Sequence, residues 1–237
     1  ETLSHELRTP LASIRMYAEL LERLPPESAS RRRRYLETLL RETARLEGLV
    51  EDVLAFARAR AGAAGPREAI EIGPLLEEVL GALRARLELA GAELQLRCEP
   101  GLPVVPGDGR LVRAAVRNLV LNALAYSPPD RVRIAVSAQR VTDRGREAVA
   151  IEVRDEGLGI AAEELPRVQQ RFYRGEAARR LGVPGSGLGL ALVQQAARSH
   201  GGRLEIRSQP GEGTCVRLVL PVEGSAVPER GGSQTQA

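Results

Sequence analysis

Apolar residues recur with helical spacing over the first 60 residues of the chain. In a first stretch they stand three or four residues apart, at Leu3, Leu7, Leu11, Ile14, Ala18 and Leu21. A second stretch repeats this spacing at Leu36, Leu39, Thr43, Leu46, Val50, Val53 and Ala57. Such spacing is typical of heptad stripes on helices, and the sequence Leu24-Pro25-Pro26-Glu27-Ser28 between them indicates a short turn. The pattern predicts an antiparallel helical hairpin over residues 1–60.

A hairpin of this size buries one stripe and forms little core of its own. Pairing with a second copy would place the stripes of four helices in one shared core, as in a four-helix bundle. We therefore expect the hairpin to be a dimerisation domain and the protein to be a homodimer.

Beyond a breaker-rich linker at residues 61–68, the pattern changes to short strands and helices. Strands are expected at residues 69–72, 93–98, 132–141, 148–154, 203–208 and 214–220, and helices at residues 74–90, 110–125 and 188–199. Adjacent strands mixed with helices favour an α+β sandwich over residues 69–222, with helices on one face of a mixed sheet. Residues 223–237 are rich in Gly, Ser, Pro and Gln, which predicts a disordered tail.

Composition narrows the class of function. The net charge is +3, and the 34 basic residues, none of them lysine, are spread among 31 acidic ones. Since they are not gathered with aromatic residues, we expect no nucleic-acid binding. No apolar run approaches the roughly 20 residues of a membrane helix, so membrane attachment is expected only through a region upstream of this chain. The isolated Cys98 and Cys215 are predicted to be small core residues of a reduced, cytoplasmic protein.

Two glycine clusters carry candidate ligand chemistry. Asp155-Glu156-Gly157-Leu158-Gly159 follows a predicted strand, and Gly185-Ser186-Gly187-Leu188-Gly189 opens a predicted helix. Glycine permits positive φ and lets backbone amides approach a ligand, and the start of a helix offers free N–H groups to phosphates. The Asp155 carboxylate could accept a hydrogen bond from an exocyclic amine. A tight turn would explain either cluster taken alone.

A pair of asparagines adds a third candidate element. Asn118 and Asn122 are four residues apart on a predicted helix and therefore share one face. Neutral amide oxygens suit a magnesium ion that keeps several waters and also binds nucleotide phosphates. Local capping or bridging would explain the pair in isolation.

The order of the motifs resembles that of histidine-kinase ATP-binding domains. Asn118…Asn122, Asp155-x-Gly157-x-Gly159, Arg171-Phe172-Tyr173-Arg174 and Gly185-x-Gly187-x-Gly189 correspond to the N, G1, F and G2 boxes of that family. The fold is shared with DNA gyrase, MutL-type repair proteins and heat-shock chaperone ATPases. The resemblance implies an ATP site with Mg²⁺ in which Asp155 reads adenine, and a mobile lid over residues 160–186. The nucleotide-binding residues that it implies are Asn118, Asn122, Tyr126, Asp155, Gly157, Gly159, Arg174, Gly185, Gly187, Leu188 and Gly189, with both asparagines also at the metal.

The segment Ser4-His5-Glu6-Leu7-Arg8-Thr9-Pro10-Leu11 resembles the H box of two-component sensor histidine kinases. The resemblance implies that His5 accepts the γ-phosphoryl group of ATP and passes it to an aspartate on the receiver domain of a response regulator. Neutral imidazole is nucleophilic near physiological pH, and Glu6 can orient it and take its proton. Pro10 should bend the helix. The Glu6-x-x-Thr9 arrangement implies that the protein also dephosphorylates the regulator.

Two positions depart from the family pattern. Ala125 stands where the N box commonly has a lysine, and Gln169 stands where the F box often begins with phenylalanine, so we expect altered rates and a looser lid. One alternative is a serine-directed kinase or ATPase of the same superfamily, but those proteins lack an H box on a heptad hairpin. Another is a nucleotide-binding scaffold that acts mainly as a phosphatase, which only Ala125 and Gln169 support.

Overall fold

The two heptad stripes fold as two helices that pack against each other. The computed structural model describes residues 2–25, 28–60, 68–183 and 185–222. Helix α1 spans Thr2–Glu22 and continues through Pro10, and helix α2 spans Ala29–Arg60. The rings of Tyr17 and Tyr35 join the two helices, with centroids 5.4 Å apart. The predicted helical hairpin is confirmed; residues 26 and 27 of its expected turn lie outside the described residues.

The remainder of the described chain alternates short strands with helices. The elements in order are β1 (Glu68–Ile70), α3 (Ile72–Leu89), β2 (Glu93–Cys98), β3 (Val105–Gly107), α4 (Gly109–Tyr126), β4 (Arg133–Asp143), β5 (Arg146–Asp155), α5 (Glu176–Arg180), α6 (Gly189–Ser199), β6 (Arg203–Gln209) and β7 (Gly213–Pro221).

Five of these strands form one mixed sheet in the order β2-β4-β5-β7-β6. Strands β2 and β4 are parallel and the other neighbours are antiparallel. Helices α3, α4 and α6 cover one face, and their apolar residues pack on alternate strand positions such as Val136, Ile151 and Leu218. Strands β1 and β3 form a separate antiparallel pair. This architecture confirms the expected layer of helices on one face of a mixed sheet.

Some element bounds differ from the sequence expectation. Strand β1 is Glu68–Ile70, so Glu68 is not part of a linker and Ile72 begins helix α3 instead of ending a strand. Ile72 is almost fully buried, which accounts for the early start of the helix. Strand β3 was not predicted because proline and glycine fill two of its three positions, and helix α5 was not predicted because five residues are too few for helical periodicity. Residues 61–67 and 223–237 lie outside the described part.

The prediction that both cysteines are core residues was wrong. Cys98 is exposed at the end of β2, an edge strand of the sheet, and Cys215 is half-buried. Successive residues of a strand face opposite sides of the sheet. Val216 packs in the core under the helices, and its neighbour Cys215 therefore points to the other side. Both thiols are free. Over the described residues, no helix has the length and apolar character to cross a membrane.

Candidate nucleotide-binding site

Helices α4 and α6 bring the two asparagines to the start of a helix. Asn118 is 7% exposed, and its Nδ2 donates to the Ala114 carbonyl one turn earlier at 3.0 Å. This bond turns Oδ1 towards Gly189, the first residue of α6. A Cβ added at Gly189 would lie 3.1 Å from Asn118 Oδ1 and 3.3 Å from Asn122 Nδ2. The predicted N box and G2 box therefore meet directly, and a side chain at position 189 would crowd both amides.

Asp155 ends strand β5 with a buried carboxylate. Its Oδ1 accepts hydrogen bonds from the N–H groups of Gly157 at 2.8 Å and Thr214 at 3.1 Å. Oδ2 accepts no hydrogen bond from the part of the chain that the structure describes. Burial raises the pKa of Asp155, and the two backbone donors partly offset that shift. The carboxylate is thus oriented by the backbone, with one oxygen left to accept from a ligand.

The first glycine cluster is required by close packing of the backbone around Asp155. Gly159 has φ +67°, and a Cβ there would lie 1.8 Å from the Gln209 carbonyl oxygen. A Cβ at Gly157 would lie 2.4 Å from the carbonyl oxygen of Tyr126, which also accepts from the N–H of Leu158 at 2.9 Å. These contacts hold the loop after β5 against the end of α4 and the β6–β7 turn.

The second glycine cluster joins the F box to helix α6. Gly187 has φ +69°, and a Cβ there would lie 2.7 Å from the carbonyl carbon of Phe172. The Phe172 N–H donates to the Gly187 carbonyl at 2.9 Å. Helix α6 has Leu188 at its N-cap, which offers no side-chain acceptor to the N–H groups of the first turn. Gly185 differs from the others, because a Cβ there would meet no atom within 4 Å.

A pocket lies between α4, the ends of β5 and β7, and the lid. Its walls are mainly apolar, and the described lid segment closes one side with Ala177 and Ala178 of α5. The polar groups that reach it are few: Asn122, Tyr126, Asp155, Glu164, Tyr173, Arg174 and Thr214. An apolar slot with a few oriented polar groups is typical of a site that binds a flat base and selects it by hydrogen bonds.

Tyr126 and Arg174 lie near each other at this pocket. Burial raises the pKa of Tyr126, and the charge of Arg174 acts in the opposite direction. The Arg174 guanidinium donates from Nη2 to the carbonyl of Val183 within the lid. Its Nε is buried and has no hydrogen-bond partner among the described residues. Arg174 therefore brings a positive charge to the wall of the pocket.

The two departures from the family pattern have different surroundings. Ala125 is exposed on α4 and adds no cation near the asparagines. Gln169 is half-buried, and its Oε1 accepts a hydrogen bond from Nε2 of Gln194 on α6. The lid is therefore joined to the helix by a polar contact at the position where an aromatic anchor was expected. No sequence pattern indicates this pair, because the two glutamines are 25 residues apart.

The predicted acceptor residues belong to the hairpin. His5, Glu6 and Thr9 lie on helix α1, but the side chains of residues 1–6 are outside the described part. Thr9 is exposed. No described side chain of the hairpin lines the pocket. The structure brings the N, G1, F and G2 boxes together and leaves the H box on a separate element.

The two asparagine side chains are the candidate magnesium ligands among the described residues. Within the described ranges, no group of three or more His, Cys, Asp or Glu side chains is arranged to hold a metal ion. Asn118 Oδ1 and Asn122 lie beside the first residue of α6. An ion held by one or two neutral oxygens and by the phosphates of its nucleotide needs no more from the protein.

Two family models match the hairpin and the greater part of the mixed-sheet domain. Residues 1–62 match the family model described as the His Kinase A (phospho-acceptor) domain. Residues 107–224 match the model described as histidine kinase-, DNA gyrase B- and HSP90-like ATPase. The chain belongs to the sensor histidine kinases.

Individual relatives agree with this assignment. The chain is 37% identical over 221 residues to the sensor histidine kinase MtrB of Mycobacterium tuberculosis, covering 93% of this chain and 38% of MtrB. It is 34% identical to the sensor-like histidine kinase SenX3 of the same organism, covering 92% of this chain and 52% of SenX3. The chain thus spans about half or less of the length of these relatives.

Solved structures extend the comparison to the fold. The mycobacterial sensor histidine kinase MprB superposes with a TM-score of 0.55 at 31% identity, over 65% of this chain and 97% of that one. The histidine kinase AdeS of Acinetobacter baumannii superposes with a TM-score of 0.69 over 93% of this chain and 98% of that one. At 22% identity AdeS supports the fold alone.

Proposed function

We propose that this chain is the catalytic core of a sensor kinase that transfers the γ-phosphoryl group of ATP to His5. The observation that carries the proposal is the Asp155 carboxylate in an apolar pocket, held through Oδ1 by two backbone N–H groups, with Arg174 lining the same pocket. An acceptor set in an apolar wall suits the exocyclic amine of adenine, and a guanidinium suits a phosphate oxygen. Both residues belong to a chain that carries a phospho-acceptor domain.

The roles of the remaining site residues follow from their positions. The amides of the first turn of α6 and the glycines Gly185, Gly187 and Gly189 would contact the phosphates, which are stabilised at a helix N-terminus. Leu188 is buried and fixes the start of that helix. The packing of Gly157 and Gly159 would keep the adenine wall in place.

Mg²⁺ would be held by Asn118 and Asn122 together with the phosphates. When bound, it offsets the charge that develops on the phosphate oxygens during transfer. The protein itself contributes the orientation of Asn118, which the Ala114 carbonyl fixes.

The reaction forms one bond and breaks one. A nitrogen of neutral His5 attacks the γ-phosphorus, the bond from that phosphorus to the bridging oxygen breaks, and ADP leaves. Glu6 accepts the imidazole proton, since it is the adjacent carboxylate in the sequence. Phosphoryl transfer depends mainly on positioning and charge stabilisation, so bringing the hairpin and the pocket together is the main demand on the protein.

The phosphoryl group would then pass to an aspartate of a response-regulator receiver domain. Thr9 lies four residues after His5 on α1, which places both on one face, and it is exposed to a docking partner. We assign it to the reverse reaction, in which the Glu6-x-x-Thr9 pair orients the water that dephosphorylates the regulator. The exposed apolar positions of the hairpin support a homodimer.

The setting that we propose is the cytoplasmic part of a membrane-anchored sensor. ATP is available in that compartment, and the free thiols of Cys98 and Cys215 are compatible with its reducing conditions. The greater length of MtrB and SenX3 leaves room in those relatives for further domains.

Incubation with γ-labelled ATP and Mg²⁺ tests the transfer. We expect a label on the protein that is lost in acid and stable in alkali, and that is absent from the His5→Gln variant. A Thr9→Ala variant should keep the label and dephosphorylate the regulator more slowly. Labelling of His5→Gln would exclude His5 as the acceptor, and failure of the natural chain to label while it still binds ATP would favour the scaffold alternative.

A further inference from the structure

A carboxylate inside the lid accepts two hydrogen bonds that no nucleotide role accounts for. Glu164 lines the pocket from the lid side and is half-buried. Its Oε1 accepts the hydroxyl hydrogen of Tyr173 at 2.9 Å and the backbone N–H of Glu176 at 2.8 Å. These partners lie 9 and 12 residues further along the chain. One oxygen atom thus joins the first turn of the lid, the F box and the start of helix α5.

The glycine before α5, Gly175, lies directly against this carboxylate. Gly175 is the N-cap of α5 and provides no side-chain acceptor of its own. A Cβ added to Gly175 would lie 3.0 Å from Oε2 and 3.3 Å from Oε1 of Glu164. Glu164 therefore occupies the space of a side chain at position 175 and supplies the capping acceptor that the glycine lacks.

The same carboxylate fixes the orientation of Tyr173. Partial burial and the hydrogen bond to Glu164 both raise the pKa of this phenol, so it remains a donor at neutral pH. The guanidinium of Arg167 lies over the Tyr173 ring, 4.6 Å from its centroid. Tyr173 is itself a wall of the pocket, so the ring position set by Glu164 is part of the binding surface.

We propose that Glu164 is a positioning residue that orders the lid in its closed form, with α5 and Tyr173 held against the nucleotide pocket. This inference rests on the proposed function for its consequence, since a lid matters only if the pocket binds ATP. Its structural part stands independently, because the contacts lie within the lid itself.

The expected effect follows from the population of the closed lid. Loss of a hydrogen bond to a charged group shifts the equilibrium between closed and open lid by about tenfold or more. If only the closed form binds tightly, the apparent Kd rises by at most the same factor, and by less where the closed lid predominates. Glu164→Ala should therefore weaken binding of a non-hydrolysable ATP analogue by up to about tenfold, and Glu164→Gln, which keeps one acceptor oxygen, should weaken it less.

The first measurement is hydrogen exchange of backbone amides in the nucleotide-free protein. We expect Glu164→Ala to expose the amide of Glu176 and the rest of α5 to faster exchange, while the amides of β5 and β7 stay protected as a control for folding. Glu163→Gln is the matched control, because Glu163 is an exposed neighbour with the same charge and forms no side-chain hydrogen bond or ion pair within the described residues. Unchanged exchange of α5 in Glu164→Ala would overturn the proposal.

The second measurement separates this idea from the proposed function. Analogue binding and autophosphorylation are measured on the same variants, with Tyr173→Phe alone and combined with Glu164→Ala. We expect the KM for ATP to rise with kcat little changed, and the double variant to bind no more weakly than Glu164→Ala. Equal loss of kcat, or additive effects of the two changes, would contradict a positioning role.

If the natural chain binds ATP but fails to phosphorylate, the proposed function fails while the lid inference is still decided by exchange and binding.

Discussion

The hairpin and the ATP-binding domain treat their leucines in opposite ways. In the ATP-binding domain, Leu76, Leu192 and Leu218 have no exposed surface, whereas in the hairpin Leu11 and Leu40 are 58% and 71% exposed. Both regions show clear apolar periodicity. The two regions differ because a sheet covered by three helices forms a closed core within one chain, whereas two helices alone cannot enclose one.

This contrast bears directly on mechanism. The candidate nucleotide site lies in the part that completes its own core, where Asp155 and Asn118 are buried and held by backbone groups. The proposed acceptor is carried on the hairpin, which we propose to complete its core with a second copy. We therefore expect ATP binding to be independent of dimerisation.

The largest effect is expected at the exposed apolar surface of the hairpin, which includes Leu40 on α2. Leu40→Glu removes about 2 kcal/mol of apolar burial per copy and adds a charge, so the dimer should weaken by about 4 kcal/mol or more. Analytical ultracentrifugation measures the dissociation constant, and ATP-analogue binding should be unchanged. Leu89→Glu is the matched control, since Leu89 is 90% exposed on α3 of the other domain and should not affect dimerisation. A dimer that resists Leu40→Glu would show that the surface around Leu40 is not the interface.

A second effect tests the tight packing of the ATP-binding domain. Gly159 and Gly91 have nearly equal φ, +67° and +63°, but only Gly159 faces an obstacle, the Gln209 carbonyl oxygen 1.8 Å from an added Cβ. Gly91→Ala should cost about 1 kcal/mol for the left-handed conformation alone. Gly159→Ala should cost about 3 kcal/mol because the backbone must shift. Urea unfolding of the two variants measures the difference, and equal costs would contradict the close approach.

A third effect isolates recognition of the base. Asp155→Asn replaces the unpartnered acceptor Oδ2 with either a donor or a neutral oxygen, and binding of an ATP analogue should weaken about 100-fold. Dimerisation should not change. Glu156→Gln serves as the control because Glu156 is an exposed neighbour that pairs with Arg131 at the surface. Near-normal affinity of Asp155→Asn would exclude Asp155 as the adenine reader.

The smallest effect is a pH dependence of the free energy of unfolding that arises from the Asp155 carboxylate. Burial raises the pKa of Asp155 in the folded protein, so the unfolded chain loses this proton first as the pH rises. The contribution of Asp155 to stability is therefore greatest in acid and declines as the pH rises from about 3.9 through the folded-state value. Comparing urea unfolding of the natural chain and Asp155→Asn from pH 4 to 7 measures it. If the stability of the natural chain relative to Asp155→Asn increased with rising pH, the pKa of Asp155 would be lowered on folding, contrary to this prediction.

The sequence predicted what depends on local periodicity and missed what depends on contacts between distant segments. The hairpin, helix α4 and the long strands followed from spacing alone, and four boxes predicted the position of an ATP site. Thr214 holds Asp155 from 59 residues away, and no spacing rule reveals such a contact. The same holds for the Gln169–Gln194 bond and for the role of Glu164. The buried location predicted for Cys98 failed because composition does not distinguish an edge strand from a central one.

The two histidines of the chain make the central claim directly testable. His200 is engaged at both nitrogens: Nδ1 lies 2.7 Å from the Ala196 carbonyl, and Nε2 accepts the N–H of Asp108 at 3.0 Å. It joins the end of α6 to the start of α4 and is not placed to act as a nucleophile. Trypsin, which cuts after arginine, would separate the two histidines into the peptides of residues 1–8 and 199–203.

Phosphopeptide mapping at neutral to alkaline pH after incubation with γ-labelled ATP therefore decides between them. We predict that the label is found in the peptide of residues 1–8, on His5. Label on the peptide of residues 199–203, or on a serine or threonine peptide stable to acid, would contradict the account.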